Sequence, residues 1–109
     1  MSKLIRVTMF KLPSPESQQK LIGCYKALSQ TASKDGKPYI LSLEAGPANP
    51  DQRSQGYTFV SISEFASMED MAFYDEGCEA HARLRAEVKE LGVEGVLTVH
   101  YEPVVMASL

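Results

Sequence analysis

Segments of this chain alternate their side chains as β-strands do, but carry apolar residues on both faces of the alternation. In residues 3–12 one face of the predicted strand is apolar and carries Ile5, Val7 and Met9. The other face is mixed and carries Leu4, Arg6, Thr8 and Phe10. A strand with two apolar faces is stable when both faces are covered. The pattern therefore predicts a sheet enclosed between two layers.

Length and composition limit what such a sheet can belong to. With 109 residues the chain suffices for one domain, which we expect to span residues 1–109. A net charge of -3 argues against a nucleic-acid role, because phosphate binding needs a basic patch. The start, MSKLIRVTMF, alternates and no run approaches the length of a membrane span. We therefore expect a cytoplasmic protein without a membrane partner, with Cys24 and Cys78 as reduced thiols.

The remaining elements follow in order along the chain. Ser14 before Pro15 marks a helix start, and the next turns carry one apolar stripe: Leu21, Ile22, Tyr25 and Leu28. Strand patterns follow at residues 39–45, 56–65 and 96–101. In the first of these, Tyr39, Leu41, Leu43 and Ala45 share a face. In the second, serines alternate with aromatic rings and leave room on their face.

The stretch 67–81, SMEDMAFYDEGCEAH, is the least generic part of the chain. Ser67 with Asp70 predicts a helix start, with Met68, Met71 and Ala72 buried, and Gly77 predicts a break before a second helix that runs to about residue 91. His81 extends the apolar stripe of that second helix, so its ring points inward near Tyr74. Such a histidine is either packed and satisfied by a hydrogen bond, or a general acid/base beside a phenol.

The order strand, helix, strand, strand, helix pair, strand predicts an α+β fold of the ferredoxin-like, split βαβ type. Its four-stranded antiparallel sheet would carry the helices on one face. The other face remains apolar, with Ile5, Val7, Met9, Leu41, Leu43, Val60, Ile62, Leu97 and Val99. An uncovered apolar face of this size predicts a homodimer with a second sheet packed on the first.

Short motifs spread over nearly the whole chain resemble the stress-responsive dimeric α/β barrel (Dabb) family. They are Met9-Phe10-Lys11-Leu12, Gln55-Gly56-Tyr57, Tyr74, Ala80-His81 and His100-Tyr101-Glu102-Pro103. The resemblance implies a homodimer whose two sheets form a barrel. The family includes a plant polyketide cyclase that forms olivetolic acid.

That cyclase implies a cofactor-free mechanism in which a histidine removes a proton alpha to a carbonyl while a tyrosine hydroxyl holds the substrate. The matching positions are His81 and Tyr74, with one extra residue between them in the segment 75–80. Other positions depart from the family pattern. Arg6 and Phe59 replace histidines, and His100 replaces an aspartate.

Our leading hypothesis is a cofactor-independent cyclase, isomerase or lyase that acts on a small polyketide-like carbonyl compound. An unperturbed imidazole pKa of about 6.5 would suit His81 as general base, and Tyr74 would hold the substrate oxygen. The predicted substrate-binding residues are Arg6 and His100, which would offset negative charge, and Phe10, Phe59 and Ser61, which would line the cavity.

Two alternative functions stay open. A non-catalytic, stress-responsive homodimer would have a sealed space between sheet and helices. A haem-degrading or quinone-oxidising monooxygenase would use the same fold. Cys78, His81 and His100 could be read as metal ligands, and Cys78 with His81 as a nucleophile pair, but the metal lacks a compact fourth ligand and the pair lacks an orienting group. We predict no metal and no cofactor.

Overall fold

The first strand lies inside the sheet, between two strands that come from distant parts of the chain. In the computed structural model, which describes residues 3–109, the strands are β1 (Leu4–Lys11), β2 (Ile40–Pro47), β3 (Phe59–Phe65) and β4 (Gly95–Tyr101). The helices are α1 (Pro15–Thr31), α2 (Met68–Glu76) and α3 (Glu79–Val88), with a short 3-10 turn at Gln52–Ser54. The strand order is β2-β3-β1-β4 and neighbouring strands are antiparallel. The predicted ferredoxin-like α+β fold is confirmed.

Serine caps begin the first two helices where the sequence predicts them. The Ser17 backbone N–H donates to Ser14 Oγ at 3.2 Å, and the Asp70 N–H donates to Ser67 Oγ at 3.1 Å. Each bond satisfies one of the N–H groups that a helix start leaves without an intrahelical acceptor. The caps therefore set where α1 and α2 begin.

The break between α2 and α3 occurs at Gly77. The N–H groups of Gly77 and Cys78 both donate to the Phe73 carbonyl, at 2.8 and 2.9 Å, and close the end of α2. A Cβ at position 77 would lie 2.9 Å from two carbons of the Phe73 ring. The close approach of the Phe73 ring therefore favours glycine at this position. Helix α3 begins two residues later, at Glu79.

The core lies between the helices and one face of the sheet. Its fully buried large side chains are Phe59, Phe65, Leu12, Leu21 and Leu28. The predicted stripe of α1 is confirmed at its buried positions, with Ile22 half-buried. On α2 the prediction was partly wrong. Met68 is 54% exposed and Ala72 is exposed, because Met71 and Tyr74 are the residues of α2 that face the core.

The opposite face of the sheet carries an apolar row across three strands. Val7 on β1 pairs with Ile62 on β3 and with Val99 on β4. Ile62 is 36% and Val99 is 47% exposed. The predicted second apolar face is therefore present and open to solvent in a single chain. Across residues 3–109, no helix has the length and apolar character that crossing a bilayer requires.

An irregularity in β2 overturns one assignment to that face. Ile40 pairs with Phe65 while Ser42 pairs with the preceding residue of β3, Glu64, so Leu41 is an extra residue in the ladder. A bulge reverses the side-chain alternation beyond it. Leu41 is consequently exposed and Leu43 packs against the core, so the prediction that the two share a face was wrong.

Candidate active site

A cavity of about 340 Å³ lies between the core face of the sheet and helices α2 and α3. Its floor carries hydroxyl groups from three adjacent strands, those of Thr8, Ser61, Ser63 and Thr98. Apolar side chains form much of the remaining wall, from Phe10, Leu84, Val88 and Val96. The small serines of β3 do leave room beneath the helices, as their alternation with aromatic rings indicates.

His81 and Tyr74 meet in this cavity with their rings stacked. The ring centroids lie 3.6 Å apart and the planes differ by 13°. His81 Nδ1 lies 2.8 Å from the backbone carbonyl oxygen of Tyr74. A carbonyl can only accept, so Nδ1 carries the proton and Nε2 keeps its lone pair. Nε2 is the ring nitrogen left for a ligand.

The environment keeps the His81 imidazole neutral. Its pKa is lowered from 6.5 to about 4, mainly by burial and to a smaller extent by the charges of Arg85 and Arg6. The bond to the Tyr74 carbonyl and the Asp75 carboxylate act in the opposite direction. An imidazole with the unperturbed pKa assumed from the sequence is therefore the wrong description of this group.

The two tyrosines that line the cavity stay protonated. Burial raises the pKa of Tyr74 and of Tyr25 above the ordinary value of a phenol. The Tyr25 hydroxyl donates to Ser61 Oγ at 2.9 Å and so fixes one group of the cavity floor. Tyr74 is therefore a hydrogen-bond donor, which is the form that binding a carbonyl oxygen requires.

Arg6 forms an ion pair with a residue that the sequence analysis did not single out. Its NH1 lies 2.6 Å from Asp75 Oδ2, and its guanidinium carbon lies 5.2 Å from the Tyr74 ring centroid. The other oxygen, Asp75 Oδ1, is 3.8 Å from His81 Nδ1. Only 13% of the Arg6 side chain is exposed, so its guanidinium is largely removed from water. Its positive charge is matched by Asp75.

Comparison with known proteins assigns the family. The family model described as stress responsive A/B barrel domain matches residues 4–103. The chain is a member of this family. A relative from Gibberella zeae, named fusaristatin A biosynthesis cluster protein, is 44% identical over 98 residues, which are 90% of this chain and 71% of the relative.

Two solved structures share the barrel family's ferredoxin-like fold at low identity. Hydroxynitrile lyase from Passiflora edulis matches with a TM-score of 0.76 and 15% identity over 97% of each chain. A dimeric ferredoxin-like protein of unknown function from Jannaschia matches with a TM-score of 0.75 and 17% identity. That match covers 93% of this chain and 99% of the other. At such identities the likeness concerns the fold.

Five of the residues predicted for the site line the cavity: Arg6, Phe10, Ser61, Tyr74 and His81. Phe59 does not, because it is fully buried behind the wall, with its ring 6.0 Å from those of Phe10 and Tyr25. His100 pairs with Arg6 across the sheet but is exposed and lies outside the lining. The Arg6 side chain forms its ion pair with Asp75 instead.

Sequence reasoning missed the charged lining residues Asp75, Arg85 and Lys89. Asp75 and Arg85 both line the cavity, and Arg85 NH1 donates to the Asp75 backbone carbonyl at 2.8 Å. Arg85 could have been found, because it lies four residues after His81 and helix positions at that spacing are neighbours. Asp75 stands next to Tyr74, but no local pattern pairs it with an arginine 69 positions earlier.

Both cysteines are free and buried. Cys24 Sγ donates to Glu87 Oε2 at 3.1 Å, and burial with this contact raises the thiol pKa to about 11. A thiol with that pKa is a poor nucleophile at neutral pH. Within residues 3–109, no three His, Cys, Asp or Glu side chains are grouped so that they could hold a metal ion.

Proposed function

We propose that this chain is a cofactor-independent cyclase, isomerase or lyase that moves a proton on a small, polyketide-like carbonyl compound. His81 is the general base and Tyr74 binds the carbonyl oxygen. The observation that carries the proposal is the neutral His81 ring, which lines an open cavity while its Nδ1–H is held by the Tyr74 carbonyl. That arrangement leaves Nε2 as the acceptor for a substrate proton.

The proposed step uses groups that the cavity already holds. The Tyr74 phenol donates to the substrate carbonyl oxygen, which becomes more negative as the α-proton leaves. His81 Nε2 takes that proton, and the resulting imidazolium is stabilised by the Tyr74 carbonyl and by Asp75 Oδ1 at 3.8 Å. Because the ring's pKa is lowered to about 4, the imidazolium readily returns the proton to a carbon or to a leaving group.

The comparisons support a small-molecule substrate. The Gibberella zeae relative is named as a biosynthesis cluster protein, and the Passiflora edulis structure is that of a lyase. Each name concerns that protein, and the fold is shared among proteins of several functions. Together with the cavity they favour catalysis over a purely structural role.

The proposal includes a homodimer. The apolar row of Ile62, Val7 and Val99 needs a second apolar layer, and the Jannaschia neighbour is described as dimeric. Packing the two outer faces together would leave the cavity of each subunit on the helix side of its own sheet.

A non-catalytic, stress-responsive homodimer is the competing function. It is favoured by one observation, that the charges of Arg6 and Asp75 are paired within the chain. The same alternative requires a sealed space beneath the helices, whereas a cavity of about 340 Å³ lies there. The cavity weighs against it.

The test is proton exchange on a simple ketone, because it needs no knowledge of the natural substrate. Acetophenone in deuterated water loses its methyl proton signal as exchange proceeds, and the native protein should accelerate that loss. His81→Ala should reduce the acceleration at least about 100-fold, the usual contribution of a general base, and Tyr74→Phe should reduce it less. Arg83→Gln, on the same helix but outside the cavity lining, is the matched control. Native exchange rates in a folded His81→Ala variant would refute the assignment.

A further inference from the structure

The charge of the cavity is opposite to the charge of the chain. Its lining holds three cationic side chains, those of Arg6, Arg85 and Lys89, and one carboxylate, that of Asp75. With His81 neutral, the lining carries a net charge of +2, while the whole chain carries -3. The excess positive charge is therefore a local property of the cavity.

Two of these cations are not matched by the carboxylate of the cavity. Asp75 is committed to Arg6 at 2.6 Å. Arg85 donates to the backbone carbonyl of Asp75, which is a neutral acceptor, and so keeps its full charge. Over residues 3–109, neither Arg85 nor Lys89 forms an ion pair with a carboxylate.

The two cations occupy one side of the cavity. Lys89 follows the last residue of α3 and keeps helical dihedrals, so it lies one turn beyond Arg85 on the same side of the helix. Both are exposed, whereas Leu84, on the same helix, is buried in the wall. A ligand would thus meet positive charge at the rim and apolar surface within.

We propose that the cavity selects an anionic ligand, a carboxylate with an apolar body, whose charge is met by Arg85 and Lys89. An arginine fork matches a carboxylate geometrically, and a lysine one turn away adds a second donor. The inference deepens the proposed function by naming the substrate's charge, and it rests on that function only for the cavity being a ligand site.

A bound carboxylate would also change the pKa of His81. Burial is the main cause of the lowered pKa of His81, and the charges of Arg85 and Arg6 add to it; a bound anion would offset these two charges. The pKa of His81 should therefore rise when a carboxylate binds. The groups that determine the size of this rise come from three elements: Arg6 on β1, Tyr74 and Asp75 on α2, and Arg85 on α3.

The experiment compares phenylacetate with phenylacetamide, which share shape but differ in charge. Binding to the native protein is followed by the shifts of backbone amide NMR signals, and the His81 ring signal is titrated with each probe present. We expect phenylacetate to bind about tenfold more tightly, as one charge-assisted contact allows. It alone should raise the pKa of His81. Arg85→Gln and Lys89→Gln should remove the preference, whereas Arg83→Gln should retain it.

Three results would contradict selection of an anion by Arg85 and Lys89. Equal affinities for the two probes, or binding of neither, would overturn it, and so would variants that keep the native preference. Arg85 and Lys89 also suit the negative end of the α3 dipole, a structural role that predicts lower stability with unchanged selectivity. His81→Gln separates this inference from the proposed function, since a variant that exchanges no ketone protons should still prefer phenylacetate.

Discussion

The imidazole of His81 lies flat against the phenol ring of Tyr74, at 3.6 Å between centroids, and is tied by Nδ1 to the carbonyl oxygen of the same residue. One residue thus fixes both the tilt and the tautomer of the other. The Gly77 break makes this possible, because it lets the chain return from α2 to α3 within seven residues.

The first prediction concerns the pH dependence of stability. The folded-state pKa of His81 is about 4 and its ordinary value is 6.5, so the unfolded chain binds the proton more tightly. The contribution of His81 to the free energy of unfolding is constant above about pH 6.5 and falls as the pH drops from there toward 4. Below about pH 4 it has lowered the free energy of unfolding by roughly 3 kcal/mol. Urea unfolding of the native protein and of His81→Gln at several pH values isolates this contribution. Equal pH profiles for the two proteins would contradict it.

The second prediction concerns the Arg6 and Asp75 ion pair. Asp75→Asn leaves the largely buried Arg6 guanidinium without its anion and exposes His81 to its full charge. We expect a loss of about 1–2 kcal/mol, moderated by the partial exposure of Asp75, and a further fall in the pKa of His81. Urea unfolding and NMR titration of the ring measure the two effects.

A double-mutant cycle is the control for that pair. Arg6→Gln combined with Asp75→Asn removes both charges, so the combined loss should be smaller than the sum of the single losses. Additive losses would show that the pair contributes nothing beyond its separate residues.

The third prediction concerns the helix break. Gly77→Ala places a methyl group 2.9 Å from the Phe73 ring, which itself packs edge-on against Tyr39 at 5.2 Å between centroids. We expect a loss of about 1–3 kcal/mol from overpacking. Gly23→Ala in the middle of α1 is the matched control. In the part of the chain that the structure describes, no neighbouring atom lies within 4 Å of the added methyl group. A helix gains about 0.5–1 kcal/mol of stability from this exchange.

Thermal unfolding measures both changes: Gly77→Ala should lower the melting temperature and Gly23→Ala should raise it. Destabilisation of Gly23→Ala, or a neutral Gly77→Ala, would contradict the role given to close approach at Gly77.

Local signals in the sequence were enough for the fold. Hydroxyl caps at Ser14 and Ser67 and the alternation of the strands depend on neighbouring residues, and the structure reproduces them. Among the strand residues the exception is Leu43, because the bulge at Leu41 depends on how β2 pairs with β3 and leaves no trace in the alternation. On α2, Met68 and Ala72 are exposed and not buried as predicted.

The site was predictable only where local periodicity determines it. His81 could be placed because it continues a helical stripe. Phe59 and His100 could not, since alternation gives the face of a strand but not the depth beneath a helix or the distance from the cavity. The partner of Arg6 depends on a contact between residues 69 positions apart, which a single sequence does not encode locally.

The last prediction concerns the outer face of the sheet. Val99 stands in a row with Val7 and Ile62, and Val99→Glu would put a carboxylate into the middle of the proposed dimer interface. Burying an unpaired charge costs several kcal/mol, more than such an interface can lose and remain intact at micromolar concentration. Light scattering after gel filtration should give twice the chain mass of 12.0 kDa for the native protein and the single mass for the variant.

Met68→Glu is the matched control for that experiment. Met68 is an apolar residue with 54% of its surface exposed, comparable to the 47% of Val99, but it lies on α2 in the helix layer. It should leave the dimer intact, since it adds the same charge to the other side of the molecule. If the native protein had the mass of one chain, the apolar row would not be a dimer interface. A dimeric Val99→Glu variant would show that any dimer forms through another surface, and a monomeric Met68→Glu variant would point to the helix layer.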